Sequence, residues 1–135
     1  MTDVSPWGPE VAADETLLRA ITCPEWWDPD GRYLSSAAFG WPKVSVSVRS
    51  KVTDESVVLA RFAPGTGLAS FNCGKARELG FDAHEEPEHG LDDHAHLYSH
   101  QLSSSRRKKQ ARSLADAVTI FREPDNELLR APRHH

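Results

Sequence analysis

The segment KVSVSVRS, residues 43–50, decides the fold class because its side chains alternate strictly between apolar and polar. The apolar positions are Val44, Val46 and Val48, and the polar positions between them are Ser45, Ser47 and Arg49. Successive side chains of a β-strand point to opposite faces of a sheet, so this period of two predicts a strand that is buried on one face. A sheet with at least one covered face is therefore the framework into which the other segments must fit.

Segments on both sides of this strand predict a mixture of helices and further strands. We predict strands over 68–73, 81–83, 94–100 and 118–121, and helices over 15–21, 54–62, 74–79 and 106–118, from apolar spacing and from the capping and turn residues between them. This mixture predicts the α+β class, as one compact domain. Its small mixed or antiparallel sheet would have about four to five strands, with helices packed mainly on one face.

The length of 135 residues fits one domain with tails. Residues 1–13 lack periodicity and carry Pro6, Gly8 and Pro9, so we predict a flexible N-terminal arm. We predict a single α+β domain over residues 14–124 and a C-terminal tail over residues 125–135.

Composition and charge exclude some function classes. Hydrophobic residues make up 39% of the chain, which is enough for a core, and the net charge of −4 argues against nonspecific nucleic-acid binding by the molecule as a whole. No apolar run approaches eighteen residues, so we predict no membrane span. The N-terminus lacks the basic and apolar regions of a secretory signal. With only Cys23 and Cys73, which we expect to be reduced, these features predict a cytoplasmic protein.

The stretch HEEPEHGLDDHAHLYSH, residues 84–100, holds five of the seven histidines. On a strand, His94 and His96 would share an exposed face and Leu97 would be buried opposite them. Two imidazoles about 6.6 Å apart can bind one ion, but zinc needs a third ligand from elsewhere. The candidates for it are Asp92, Asp93, His84 and Cys73, and we take Asp93 with the two histidines as the metal hypothesis. An ordinary half-exposed strand after a solvated acidic loop is the simpler explanation, and a proton-transfer or docking role is the third.

The segment SSSRRKKQARS predicts a basic surface at the start of a helix. Its cations are Arg106, Arg107, Lys108, Lys109 and Arg112. They could bind phosphate, RNA or an acidic protein surface. Cations at a helix N-terminus oppose the helix dipole, so helix stability does not require them there. The alternative is a solvated helix face that pairs with the acidic loop at residues 85–93.

Other chemical motifs are weak. There is no Gly-x-Ser-x-Gly motif and no phosphate-binding loop, and Cys73 at a helix start is more typical of a buried residue than of a nucleophile. We assign no catalytic residue and do not favour an enzyme. Trp26 and Trp27 lie in a turn, where they could serve as contacts for a partner, although packing over the sheet is the commoner role of such residues.

Several segments together resemble a family of small uncharacterised bacterial proteins. They are ITCPEWWD, SSAAFGWPKVSVSV, GTGLASFNCGKARELGFDA, DDHAHLYSH and KKQARSLAD, and they fall within residues 15–123. The family has an "ARxLGF" turn, matched here by residues 76–81, and an "HA" strand motif, matched by His94 and Ala95. The resemblance implies a stand-alone bacterial protein and carries no activity, cofactor or site.

These observations lead to three hypotheses of function. The first is a small cytosolic accessory protein of a bacterial system that binds a macromolecular partner, which we take to be a protein, through Trp26, Trp27 and the basic segment. The second is a small metal-binding protein or metalloenzyme that uses His94 and His96. The third is an RNA-binding module that uses residues 106–112. We expect no cofactor unless the histidine pair binds zinc, and the sequence leaves the oligomeric state open.

Overall fold

The computed structural model describes residues 8–86, 91–101 and 103–129. Within these ranges the chain forms a single α+β domain, which confirms the predicted class, around one antiparallel sheet. The sheet has six strands, one more than the upper end of the predicted range. Their order across the sheet is β6 (Phe81–Glu85), β7 (His94–Ser99), β4 (Lys43–Val48), β1 (Thr16–Ile21), β5 (Gly67–Asn72) and β8 (Thr119–Arg122). A separate two-stranded ribbon joins β2 (Trp27–Asp28) and β3 (Tyr33–Leu34).

The strands are β1 Thr16–Ile21, β2 Trp27–Asp28, β3 Tyr33–Leu34, β4 Lys43–Val48, β5 Gly67–Asn72, β6 Phe81–Glu85, β7 His94–Ser99 and β8 Thr119–Arg122. The α-helices are α1 Glu55–Leu59, α2 Cys73–Glu78, α3 Ser104–Ala117 and α4 Asn126–Leu129. Short 3-10 helices span Pro24–Trp26, Ser36–Phe39 and Arg49–Lys51. No helix in the described ranges has the length and apolar character needed to cross a membrane.

The predicted helix over 15–21 is wrong, because these residues form β1 in the middle of the sheet. β1 pairs with β4 on one side and with β5 on the other. Leu17 and Leu18 point to opposite faces and both are buried. A central strand that is covered on both faces loses the apolar–polar alternation by which strands are recognised.

One face of the sheet carries the main core. Val44, Val46 and Val48 are buried in it, as the alternation predicts. α3 and the 3-10 helix at Ser36–Phe39 cover this face, where Leu114 is buried. Phe39 meets Phe71 edge to face with ring centroids 5.5 Å apart, a favourable geometry for aromatic rings.

The opposite face has two different halves. α1 covers one half, where Val58 packs with Leu18, Ala20 and Leu68 in a small second core. The other half consists of β4, β7 and β6, and polar side chains line it. These side chains, which we call the polar half-face, are Lys43, Ser45, Ser47, His84, His94, His96 and Tyr98. The helices therefore lie mainly on one face, and α1 is the exception.

The ends of the described chain contact the sheet and the turn before β5. Glu85 N donates to Pro9 O at 2.7 Å and Val11 N donates to Ala83 O at 2.9 Å, so residues 8–11 of the predicted arm run along the edge of β6. In the predicted tail, Asp125 N donates to Gly65 O at 3.0 Å. The remaining residues of the arm and tail, 1–7 and 130–135, lie outside the described residues.

Candidate functional site

The register of β4 and β7 brings the polar half-face together. Ser45 lies opposite His96 and Ser47 lies opposite His94. The His94 and His96 ring centroids are 4.6 Å apart, and Leu97 is fully buried on the other face. The shared face of the two histidines and the burial of Leu97 are thus confirmed. His96 itself is only 6% exposed, so the prediction that it faces solvent is wrong.

Glu86 is the side chain that orders this half-face, and the sequence patterns did not single it out. Lys43 Nζ donates to Oε1 at 3.2 Å and the Tyr98 hydroxyl donates to Oε2 at 3.1 Å. His96 Nδ1 donates to the same Oε2. Glu86 follows β6 directly and continues its pairing with β7, since Glu86 N donates to His94 O at 3.0 Å. Its side chain therefore lies on the same face as that of His84, but the sequence analysis assigned Glu86 to a loop and did not extend the alternation to it.

Burial and hydrogen bonding set the ionisation of this cluster. Burial opposes the charge on Glu86, but the hydrogen bonds from His96, Lys43 and Tyr98 outweigh it and lower the pKa of the carboxyl. Burial lowers the pKa of His96 despite the neighbouring carboxylate. Burial and Glu86 together raise the pKa of Tyr98 to about 12. Near neutral pH the cluster therefore holds an ionised Glu86, a neutral His96 and a neutral Tyr98.

The hydrogen bond to Glu86 determines which nitrogen of His96 carries the proton. A carboxylate only accepts, so Nδ1 of the neutral ring donates and Nε2 keeps its lone pair. Ser45 Oγ lies 3.4 Å from that Nε2. Ser45 is exposed, whereas its histidine partner is buried. The His96 ring therefore lies between the Ser45 hydroxyl and the Glu86 carboxylate, with one ring nitrogen directed at each.

A cleft of about 370 Å³ lies beside Ser45, between α1 and the strands β1 and β4. Its apolar lining includes Leu18, Ala20, Val58, Phe62 and Leu91. The polar residues of the lining are Arg19, Thr22, Ser45, Ser47, Arg61 and His94. This volume and a mostly apolar wall with a few polar groups are typical of sites for small organic ligands.

The metal hypothesis named His94, His96 and Asp93, and the structure does not bring these three together as a ligand set. Asp93 is 3% exposed and forms two hydrogen bonds of 2.8 Å with Arg61. His94 Nδ1 donates to the backbone oxygen of Glu86 at 2.8 Å. Within the described residues, no group of three histidine, cysteine or carboxylate side chains is arranged to hold a metal ion.

The basic segment lies in α3, and its five cations differ in their surroundings. Arg107 Nη1 donates to Gln101 O at 3.0 Å, and Arg112 Nη2 donates to Leu34 O at 2.8 Å and forms an ion pair with Asp116. The other three, Arg106, Lys108 and Lys109, are exposed and form no ion pair with any residue that the structure describes. Two of the five cations therefore hold the helix in place, and three are available to a partner.

The acidic loop uses other cations than those of α3. Glu85 forms an ion pair with Lys51, Glu86 with Lys43, and Asp93 with Arg61. For these three carboxylates, the alternative that the basic segment neutralises the acidic loop is wrong. Residues 87–90 of the loop lie outside the described residues.

The aromatic residues on the surface are not the ones that the sequence suggested. Trp27 is 5% exposed and belongs to the main core, so it does not fit a role as a surface contact. Trp26 is half buried, with the Arg19 guanidinium 4.5 Å above its ring. Trp41 and Tyr33 are instead 62% and 49% exposed. Trp41 lies just before β4 and Tyr33 lies in the two-residue strand β3, positions that carry no periodicity from which exposure could be read.

Cys73 has no features of a nucleophile. Its side chain is fully buried in the main core, and burial raises the pKa of the thiol. A buried thiol with a raised pKa is inert at neutral pH.

Comparison of the chain with protein-family models, curated proteins and solved structures finds no match. The function must therefore be argued from the chemistry of the polar half-face and of α3.

Proposed function

We propose that this protein is a small cytosolic accessory protein of a bacterial system, and that it binds an acidic surface of a protein partner through the first turns of α3. The observation that supports this proposal is the placement of Arg106, Lys108 and Lys109, which are exposed and form no ion pair within the described residues. Three neighbouring cations on one helix give the local positive charge that an acidic patch requires.

These cations do not serve the stability of the helix. They lie in its first two turns, where positive charge opposes the helix dipole. The helix is held instead by its buried face, which includes Ala111 and Leu114. Gln110 adds two hydrogen bonds, since its Nε2 donates to Leu79 O at 3.0 Å and its Oε1 accepts from Ser99. The basic surface therefore sits on a rigid element, which reduces the entropy lost on binding.

An exposed aromatic ring lies beside Arg112, the last cation of the basic segment. The Arg112 guanidinium is 5.6 Å from the Tyr33 ring centroid. Ser99 N donates to Pro42 O at 3.0 Å, which places the neighbouring Trp41 at the same end of the sheet as the segment that enters α3. Tryptophan, tyrosine and arginine are enriched among the residues that dominate binding energy at protein interfaces. Exposed Tyr33 and Trp41 therefore favour a protein partner for this end of the molecule.

RNA is the competing ligand, because the same cations would bind phosphate. Nucleic acid presents a high and continuous negative charge, whereas an acidic patch on a protein needs only local complementarity. A molecule with a net charge of −4 is suited to the second case. The experiment must nevertheless distinguish the two ligands.

Photo-crosslinking in the cells that produce the protein tests this proposal. Benzoylphenylalanine replaces Lys108, and the control carries it at Val57, an exposed residue of α1 on the other face of the sheet. We expect a protein adduct at position 108 that is absent at position 57 and is lost when Arg106 and Lys109 are changed to glutamate. An adduct that disappears on ribonuclease treatment would identify RNA instead, and equal adducts at both positions would contradict the proposal.

A further inference from the structure

We propose that Ser45 is a nucleophile activated by His96 and Glu86, and that it accepts the acyl group of a small ester whose apolar part binds in the adjoining cleft. This is an activity in addition to partner binding, and it uses the opposite face of the sheet from α3. It rests on the order of three side chains, on the access to Ser45 and on the chemistry of the cleft.

The strand pairing fixes the geometry of the three groups. Ser45 and His96 are direct cross-strand partners in an antiparallel pair, where side chains lie close enough to interact. Ser45 Oγ is 3.4 Å from Nε2, and Nδ1 of the same ring donates to the Glu86 carboxylate. A nucleophile beside a base that a third group orients is the arrangement that nucleophilic catalysis requires. Such hydrogen bonds are often long in the absence of substrate and tighten when it binds.

The surroundings keep the base in its active form. Burial lowers the pKa of His96, so the ring is neutral near pH 7 and can take a proton. Lys43 and Tyr98 both donate to Glu86, which holds the carboxylate in place. The ionised carboxylate stabilises the imidazolium that forms when His96 takes a proton.

The cleft supplies both access and a binding site. Ser45 is exposed and belongs to the cleft wall. Beyond it lie the side chains of Leu18, Val58 and Phe62, which suit a short apolar acyl chain. Asp93 balances the charge of Arg61, and Arg19, the other arginine of the lining, donates to the backbone oxygens of Ala38 and Ser45.

The reaction balances with water as the second reactant. Ser45 Oγ attacks the acyl carbon while its proton moves to His96 Nε2. The bond from that carbon to the leaving oxygen breaks, and the leaving alkoxide takes the proton from Nε2 to depart as an alcohol. Water then attacks the Ser45 ester, Nε2 takes its proton, and the proton returns to Oγ as the carboxylic acid leaves.

The position of Ser45 in the sheet predicts slow turnover. Ser45 lies within the extended strand β4, where successive backbone amides point in opposite directions and cannot act together as oxyanion donors. Removing one such donor from a serine protease costs about 10²–10³ in kcat. We therefore expect the acylated or phosphonylated serine to accumulate, and covalent labelling is the appropriate measurement.

The test is labelling of the full chain with an alkyl fluorophosphonate of short chain, followed by peptide mapping. We expect the label on Ser45 of the unchanged protein and no label anywhere in the Ser45→Ala variant. In His96→Gln, labelling of Ser45 should be at least about tenfold slower, because the base is lost. Ser113→Ala is the control, since Ser113 is an exposed serine of α3 on the other face of the sheet and outside the cleft, and the labelling of Ser45 in this variant should equal that of the unchanged protein. Circular dichroism checks that each variant is folded.

The pH dependence of labelling is a second measurement, and it does not require the substitution of a buried residue. The labelling rate of the unchanged protein should fall in acid as His96 is protonated, below the usual histidine pKa because the pKa is lowered. Glu86, Lys43, His84, His94 and Tyr98 are the titratable groups that face this ring. Glu86 raises the pKa of His96, so Glu86→Gln should move the profile to lower pH, as expected of a positioning residue. Absence of label on Ser45 in the folded protein, or an equal rate in folded His96→Gln, would overturn the proposal.

Discussion

Asp93 is a charged side chain that the fold holds almost entirely away from water. Its carboxylate meets the Arg61 guanidinium through both oxygens, the strongest geometry for such a pair. The hydrogen bonds from Arg61 outweigh burial and hold the pKa of Asp93 below its usual value. The pair joins the segment before β7 to the residues that follow α1, and it closes one side of the cleft.

We predict that Asp93→Asn destabilises the protein by about 1–3 kcal/mol at pH 7, because it leaves Arg61 without its partner. A depressed pKa means that the contribution is fully present above the unfolded-state pKa and is lost as the pH falls through the folded-state pKa. The penalty of the substitution should therefore shrink as the pH falls below about 4. Urea unfolding of the unchanged protein and of Asp93→Asn at pH 7 and pH 3 measures the loss of stability. An equal loss at both pH values would contradict a role for the ionised Asp93 carboxylate in stability.

The histidines on β7 show what a residue pattern can predict and where it stops. Period-two alternation placed His94 and His96 on one face and Leu97 on the other, because the register of a strand depends only on which face is buried. The burial of His96 depends on Glu86, Lys43 and Tyr98, which come from three different strands or their ends. Such contacts follow from the tertiary fold and have no signature in the sequence near the histidine.

Strands differ in how well their sequence reveals them. β4 has one apolar and one polar face, so alternation identifies it. β1 has Leu18 under α1 on one face and Leu17 in the main core on the other, so its apolar residues are adjacent. Adjacent leucines are equally typical of a short helix, and only the presence of α1 on the second face resolves the ambiguity.

Substitutions in β1 test that both of its faces are buried. We predict that Leu17→Ala and Leu18→Ala each destabilise the protein by about 2–5 kcal/mol, the usual cost of removing a buried leucine. Thr16→Ala is the control, since Thr16 is exposed on the same strand, and its effect should stay within about 0.5 kcal/mol. Chemical unfolding of the three variants gives the values. A small effect of Leu18→Ala alone would mean that α1 does not cover this face.

Charge reversal at the start of α3 distinguishes a docking surface from a structural one. We predict that Arg106→Glu, Lys108→Glu and Lys109→Glu combined leave the melting temperature unchanged or raise it by a few degrees, because glutamate suits the positive end of the helix dipole. The described carboxylates of the acidic loop are paired with other cations, so no attraction is lost with them. Thermal melts at low and high salt provide the measurement. A clear fall that is larger at low salt would indicate that these cations neutralise acidic groups of the protein itself.

At the scale of the whole molecule, the sheet separates two kinds of chemistry. α3 and its exposed cations lie on the main-core face, while the serine, histidine and carboxylate groups lie on the face that α1 covers only in part. The sequence analysis grouped the candidate residues by their proximity along the chain, whereas the structure groups them by the face of the sheet on which they lie. Glu86 acts with β4 and β7, whereas Asp93, seven residues later, acts with the end of α1. Two carboxylates that are close in the sequence of the acidic loop therefore bind partners in different parts of the structure.

The zinc content of the purified protein tests the zinc hypothesis. A site at His94 and His96 would need ring nitrogens free of protons and a third ligand. Both Nδ1 atoms donate to Glu86 oxygens, so the two Nε2 atoms are the nitrogens that could bind a metal. The Asp93 carboxylate is held by Arg61, and zinc that took Asp93 as its third ligand would leave Arg61 without its partner. We therefore predict less than about 0.1 equivalent of zinc after desalting, and no change in melting temperature on adding a chelator.

The measurement of zinc content must exclude the two histidines at the end of the chain, which are themselves possible ligands. A variant that ends at residue 133 removes His134 and His135 and leaves the described residues intact. If this variant retained one equivalent of zinc after dialysis, and lost it in His96→Gln, the metal hypothesis would replace the one made here. The Ser45 hydroxyl would then face a ring whose electron pair belongs to the metal, and labelling of Ser45 should fall as zinc is added. A zinc site predicts that Ser45 labelling falls as the zinc content rises. Measuring zinc content and Ser45 labelling in the same sample therefore distinguishes a zinc site from a nucleophilic serine.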